Sequence, residues 1–340
     1  MQRKRHMKII IDTDPGQDDA AAIMLALGSP ELEILGLTVV AGNVPLDLTT
    51  RNALMICELS GRLDVKVFAG AKGPLIGPQV TAEHAHGKSG LDGPDIFKPS
   101  ITLQTKYAPD FLVETILKED KKTVTLCPIG PLTNIALALK SEPEIASRIE
   151  KIVLMGGGYF AQGTSTPSAE FNIFADPEAA KIVFNCGAPI IMMPLDVTHQ
   201  ILTTKARVEK IQAVGNIASL ALAKMLGFYS RYNSKKYGND GAPLHDPTTI
   251  AWLLKPELFN GRHCNVEIET ESEITRGATV IDWWEVTDRP KNAYVVNEVN
   301  SDGFFDLLTD RLGNLNSVSY THLRAHETDS YLVCRLLLEK

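Results

Sequence analysis

Short apolar runs without polar alternation recur along the chain, each followed by a segment whose apolar residues return every three or four positions. KIII at 8–11 and IVLM at 152–155 are the clearest of these runs. Strands covered by helices on both faces read this way. The pattern predicts strands at 8–11, 34–40, 65–68, 123–126, 152–155 and 189–193, with helices at 18–27, 46–59, 111–117, 133–139 and 177–184. The alternation implies an α/β fold, a mostly parallel central sheet flanked by helices. From 203 to 254 the pattern is mainly helical; strands return at 265–269, 278–281 and 293–299, and a helix closes at 304–312. Neither a repeat nor a linker interrupts this stretch, so residues 7–312 are expected to form a single domain. Residues 313–340 continue no such rhythm and are expected to be a tail outside the fold.

Composition narrows the partners. Of 340 residues, 44% are hydrophobic and 22% charged, which fits a globular protein. The 34 basic and 41 acidic side chains leave a net charge of −7. A mildly acidic chain has no electrostatic footprint for nucleic acid or an anionic membrane, but it tolerates cations. The five cysteines, Cys57, Cys127, Cys186, Cys264 and Cys334, form no C-x-x-C. Reduced thiols of a cytoplasmic protein are the expectation. The basic start is followed only by Ile9, Ile10 and Ile11 before Asp12. That is too short for a signal peptide, and no apolar run reaches the ~18 residues of a membrane span. Met7 is a candidate start, with residues 1–6 as an extension.

The densest chemistry is Asp12-Thr13-Asp14-Pro15-Gly16-Gln17-Asp18-Asp19, at the carboxyl end of a buried strand. Helix capping accounts for one acid here. It does not account for four, because like charges so close repel, and a hard cation relieves that repulsion. The Pro-Gly turn can bring Asp14 and Asp19 toward one point. Asn43, Pro128-Ile129-Gly130, Met155-Gly156 and Asp196 also follow strands. In open parallel sheets such positions converge on the ligand crevice. Each has a plainer reading as a turn or cap. His245-Asp246-Pro247 offers a further carboxylate beside an imidazole, or simply a helix cap with Pro at the first position. Phe228, Tyr229, Tyr232 and Tyr237 are either a core face or a wall for a planar ligand. Glu170 and Asn172 could grip sugar hydroxyls from a loop. His84 and His86 border HGKSGLDG, a stretch that reads as a mobile lid or an ordinary surface loop.

Taken together, DTDPGQDD at 12–19, AGN at 41–43, HGKSGLDG at 86–93, MGGG at 155–158, EFNIFADPEAA at 170–180 and PLHDP at 243–247 resemble, in order, the inosine–uridine-preferring nucleoside hydrolases. The likeness runs from Met7 to about Leu312. The stretches at 241–259 and 195–199 are most similar to the bacterial pyrimidine-specific ribonucleoside hydrolases. The resemblance implies a Rossmann-like fold and cleavage of the N-glycosidic bond of a ribonucleoside by water. It implies Ca²⁺ held by Asp14, Asp19 and Asp246 and by the main-chain carbonyl of Ile129. Family members often carry Thr at that last position, but a backbone ligand does not depend on the side chain. Asp18, Asn43, Glu170 and Asn172 would bind ribose hydroxyls, Met155 would pack near the sugar, and His86, Tyr229 and Tyr232 would line the base.

The same resemblance implies that Asp14 is the general base for a Ca²⁺-bound water and His245 the acid for the leaving base. Attack opposite the base predicts inversion at the anomeric carbon, and the base preference would be pyrimidine. A small-molecule substrate, a homotetramer or homodimer, and no nucleic acid or membrane partner complete the expectation. Two other readings of the motif are a Mg²⁺-dependent phosphatase with Asp12 as nucleophile and a non-catalytic calcium- and ribose-binding protein.

Overall fold

The computed structural model describes residues 6–237 and 241–315, without the side chains of 232–237. Eight strands form the central sheet: β1 (Met7–Thr13), β2 (Leu32–Val39), β3 (Val67–Ala69), β4 (Val124–Pro128), β5 (Lys151–Met155), β6 (Ile190–Met193), β7 (Phe259–Cys264) and β10 (Ala293–Val299). Their order is β3-β2-β1-β4-β5-β6-β10-β7, and every neighbouring pair is parallel except β10 with β7. β8 (Val266–Ile268) and β9 (Thr279–Ile281) pair antiparallel in a separate small sheet.

Alternation along each strand explains the unbroken apolar runs. Ile9 and Ile11 of β1 join Leu37, Val39 and Val153 in one apolar cluster, packed with the helix Gln17–Leu27. Ile10 points the other way and joins Leu126, Ile152 and Leu154 against the helix Thr133–Ser141. Both faces are covered, so polar residues have no place in these strands.

Three features add to the expected pattern. The strands foreseen at 265–269 and 278–281 exist but lie outside the central sheet. β7, the antiparallel edge strand FNGRHC, was not foreseen, because it is half exposed and its polar residues give no apolar run. Packed residues continue past Leu312. The last helix is Ser301–Gly313, Leu315 is buried, the Asn314 amide donates to the Gly28 carbonyl (2.9 Å), and Asn216 donates to Leu312 (2.7 Å). The rest of the expected tail, 316–340, lies outside the described residues. Among the described residues no helix is long and apolar enough to cross a membrane.

The order reverses between β1 and β4, where helices leave the sheet on opposite sides. A crevice opens at the carboxyl ends of strands at such a switch. Asp12 pairs with Pro128 across these strands, and the Ile129 N–H donates to the Asp12 carbonyl at 2.8 Å. The loop carrying Asp14 and the one carrying Ile129 therefore leave the sheet side by side.

Candidate active site

Gly16 caps the helix Gln17–Leu27, which places Asp18 and Asp19 in its first turn, where the dipole favours acids. Asp19 does serve in capping: its Oδ2 accepts from the Gly16 N–H at 2.9 Å, and its Oδ1 accepts from Thr13 Oγ1 at 2.5 Å. Asp14 Oδ2 accepts from the Asn43 N–H (2.7 Å), while the Asn43 amide donates to the Asp14 carbonyl (3.0 Å). The Asp14 carboxylate lies against Gly42 and Gly130. A Cβ there would stand 2.1 Å and 2.3 Å from its oxygens, so these glycines are needed for close approach.

Asp246 arrives from the other half of the chain. It precedes the helix Pro247–Leu254, yet its side chain makes no capping hydrogen bond. Asp18, Asp19 and Asp246 each offer a carboxylate oxygen, and these oxygens lie within 4.8 Å of one another. Asp14 Oδ1 and Asp18 Oδ1 are buried without a partner among the described residues. Burial, followed by the neighbouring Asp19 charge, pushes Asp14 well above the ordinary carboxylate range and Asp18 up to about 8. Burial, then the charges of Asp18 and Asp19, does the same to Asp246. Buried carboxylates with free lone pairs fit a hard divalent cation, which would remove both penalties. Asp18, Asp19 and Asp246 are the carboxylates brought together there, with the unpartnered Oδ1 of Asp14 nearby.

Asp12 does not join them. Its Oδ1 accepts from Thr38 Oγ1 (2.6 Å) and Asn134 Nδ2 (2.8 Å), and it does not line the pocket. Of the four acids at 12–19 Asp12 therefore stands apart, while Asp246, the further carboxylate the sequence offered, meets Asp18 and Asp19; away from the pocket, Asp12 is not placed to act as the nucleophile of the phosphatase reading. Asp196 likewise stays out: it accepts from the N–H groups of Tyr159, Phe160 and Ala161, each at 2.9 Å, and so shapes the loop after β5.

Over the carboxylates opens a pocket, partly open to solvent, with polar groups converging on it as in a small-ligand site. Asp18, Asp19, Asn43, His86, Ile129, Met155, Glu170, Asn172, Tyr229, His245 and Asp246 line it, and Asp14 lies beneath. Glu170 caps the helix Phe171–Ala175, accepting from the Asn172 and Gly157 N–H groups at 2.9 Å; burial pushes it up to about 7. The Asn172 amide nitrogen donates to the Ile129 (3.0 Å) and Met155 (3.2 Å) carbonyls, which leaves its oxygen for a ligand. The side chain of Tyr232, on the helix Ile217–Tyr237, lies outside the described residues.

Two histidines border the opening. His86 stacks on Tyr229, with ring centroids 5.3 Å apart. The HGKSGLDG stretch is anchored to the body of the fold. Leu91 is fully buried, and Gln17 and Asn52 side chains bind its main chain at 3.0–3.1 Å. His245 Nδ1 lies 2.8 Å from Thr198 Oγ1. Burial, then His199 and His86, holds His245 well below the usual histidine range, so its ring is neutral at physiological pH. Thr198 Oγ1 has no other hydrogen-bond partner among the described residues. Its buried proton is satisfied by donation to Nδ1, which places the ring hydrogen of His245 on Nε2. Sequence reading missed both Gln17 and Thr198 as site residues, although each lies within a motif it singled out.

The model of the family described as "Inosine-uridine preferring nucleoside hydrolase" matches residues 9–306. The pyrimidine-specific ribonucleoside hydrolase RihA of Salmonella typhimurium is 47% identical over 307 residues, covering 90% of this chain and 98% of that protein. RihA of a Shewanella species is 50% identical, covering 89% of this chain and 95% of that protein. Among solved structures, a purine-preferring ribonucleoside hydrolase from Gardnerella vaginalis superposes with a TM-score of 0.85 at 35% identity, covering 92% of this chain and all of that one.

Proposed function

The chain belongs to the inosine–uridine-preferring nucleoside hydrolase family and is a ribonucleoside hydrolase, and on that premise we propose how its residues divide the work. The observation that carries the reading is the pair of buried, unpartnered oxygens of Asp14 and Asp18 under a pocket lined by Glu170, Asn172 and His245. We take the cation to be Ca²⁺, held by Asp14, Asp19, Asp246 and the Ile129 carbonyl. When bound it supplies a Lewis acid that makes water easier to deprotonate.

Asp14 takes a proton from the attacking water at Oδ1, the oxygen that no protein donor occupies. Asp18, Asn43, Glu170 and the Asn172 oxygen bind and orient the ribose hydroxyls. Their fixed dipoles and charges face the ring as it turns oxocarbenium-like, which stabilises the transition state. His245 gives the departing base a hydrogen bond from Nε2–H. Because the ring is neutral, it acts as a donor held by Thr198 and not as a preformed imidazolium. Water attacks opposite the base, so ribose is released with inverted configuration.

The RihA relatives are named pyrimidine-specific, while the Gardnerella relative is named purine-preferring. The greater identity to RihA favours uridine and cytidine here. A homotetramer or homodimer in the cytoplasm belongs to the same reading. The test is a reducing-sugar assay with uridine, cytidine, inosine and adenosine, before and after chelation and Ca²⁺ readdition. Ribose release without phosphate, fastest from the pyrimidines and restored by Ca²⁺, is expected. Phosphate-dependent release, or full activity in a metal-free preparation, overturns the reading.

A further inference from the structure

Gln17 has no part in the chemistry above, yet it is completely buried and every polar atom of its side chain is engaged. Nε2 donates to the carbonyls of His86 (3.0 Å) and Asp92 (3.1 Å), and Oε1 lies 2.7 Å from His86 Nδ1. Only one orientation of the amide satisfies this set. Turned over, its oxygen would face two carbonyl oxygens. Oε1 can only accept, so the hydrogen between it and the imidazole belongs to Nδ1.

His86 is a neutral imidazole, because burial holds its pKa down at about 3, with a smaller push from His84. A neutral ring with hydrogen on Nδ1 carries a lone pair on Nε2. The ring lines the pocket and is held flat against Tyr229. His245 is fixed in the opposite tautomer. Of these two histidines lining the pocket, one therefore carries a lone pair on Nε2 and the other a hydrogen.

We propose that Gln17 is a positioning residue that fixes His86 as a hydrogen-bond acceptor, so that the pocket favours ribonucleosides presenting an N–H or O–H donor to it. The inference rests on the reading of the pocket as a ribonucleoside site. Uridine has two donors that could serve, the base N3–H and the ribose 5′-hydroxyl.

Two measurements on the full chain test this. The first is ¹⁵N NMR of histidine-labelled, substrate-free protein, with His86 assigned through His86→Asn. The wild type should show the Nδ1–H tautomer from pH 6 to 9. Gln17→Glu, which keeps an oxygen facing Nδ1, should retain it, and Gln17→Met should lose it. Loss of the loop clamp is common to both variants, so a merely structural role would not separate them.

The second is kcat/KM on uridine, 3-methyluridine and 5′-deoxyuridine. In the wild type, the analogue lacking the recognised donor should fall about tenfold, the size of one neutral hydrogen bond. In Gln17→Met that penalty should shrink toward unity, and the analogue affected identifies the donor. An Nε2–H tautomer in the wild type, or both penalties unchanged in Gln17→Met, overturns the proposal. Absence of ribose release by the wild type strikes the reading of the pocket instead, and the NMR arm then decides the Gln17–His86 relation alone.

Discussion

A Cβ on Gly42 would stand 2.1 Å from Asp14 Oδ2, so the end of β2 leaves room for the carboxylate only because residue 42 has no side chain. Gly130, beyond β4, makes the same allowance for Oδ1. Neither residue lies in the left-handed region. Gly42→Ala or Gly130→Ala should therefore fold but displace Asp14. A misplacement near 1 Å can cost about 10²-fold in rate. We expect kcat to fall by about that factor with an unchanged circular dichroism spectrum. Wild-type kcat in both variants would show that Asp14 has slack.

Asp14→Asn removes a ligand charge and the proposed base together. General base catalysis contributes about 10²–10⁴-fold, and the loss should be at least that large. Metal content by mass spectrometry should fall below one Ca²⁺ per chain. A variant that holds a full equivalent of Ca²⁺ and turns over normally would remove Asp14 from both roles.

The buried carboxylates give the metal-free chain a distinctive pH dependence. Asp18 titrates at about 8 in the fold because burial raises it, against about 4 in an unfolded chain. The folded state binds its proton more tightly, so this contribution to stability is complete below about pH 4 and is lost as pH rises toward 8. Asp14 and Asp246 shift in the same direction. With a chelator present, Tm should fall by several degrees from pH 5 to pH 8, since roughly 1 kcal/mol moves Tm by about 2 °C in a large domain. Ca²⁺ should abolish the fall. A metal-free Tm that rises over this range would contradict the assignment, and scanning calorimetry reads it directly.

His245→Ala should lower kcat on uridine by about 10²-fold or more, since the leaving base loses its donor. p-Nitrophenyl riboside leaves as a stable anion and should lose far less. Thr198→Val, which frees the ring to take the other tautomer, should show the same split in weaker form. Equal losses on both substrates would assign His245 to ribose binding or structure.

The strands were legible because a doubly buried strand is a local pattern: Ile9, Ile10 and Ile11 face two different cores, and both demand apolar side chains. The carboxylate cluster was legible for a related reason, since like charges crowded into eight residues call for compensation by something. β7 was not legible, because an edge strand tolerates polar residues and leaves no such mark.

Which way each polar side chain turns was decided only by the tertiary structure. Asp12 and Asp14 are two residues apart, yet Asp12 turns to Thr38 and Asn134, away from the pocket, while Asp14 bonds to Asn43 and Asp19 beneath it. Asp246 reads from sequence as either a helix cap or a further carboxylate ligand; only the packing of the helix Pro247–Leu254 against Gln17–Leu27 brings it to Asp18 and Asp19. Gln17 looks like one more helix-start residue until the 86–92 loop folds over it. Apolar burial depends on a residue's own surface and can be read along the chain. A hydrogen bond or a ligand set needs a partner at about 3 Å, and that partner is fixed only when distant segments pack.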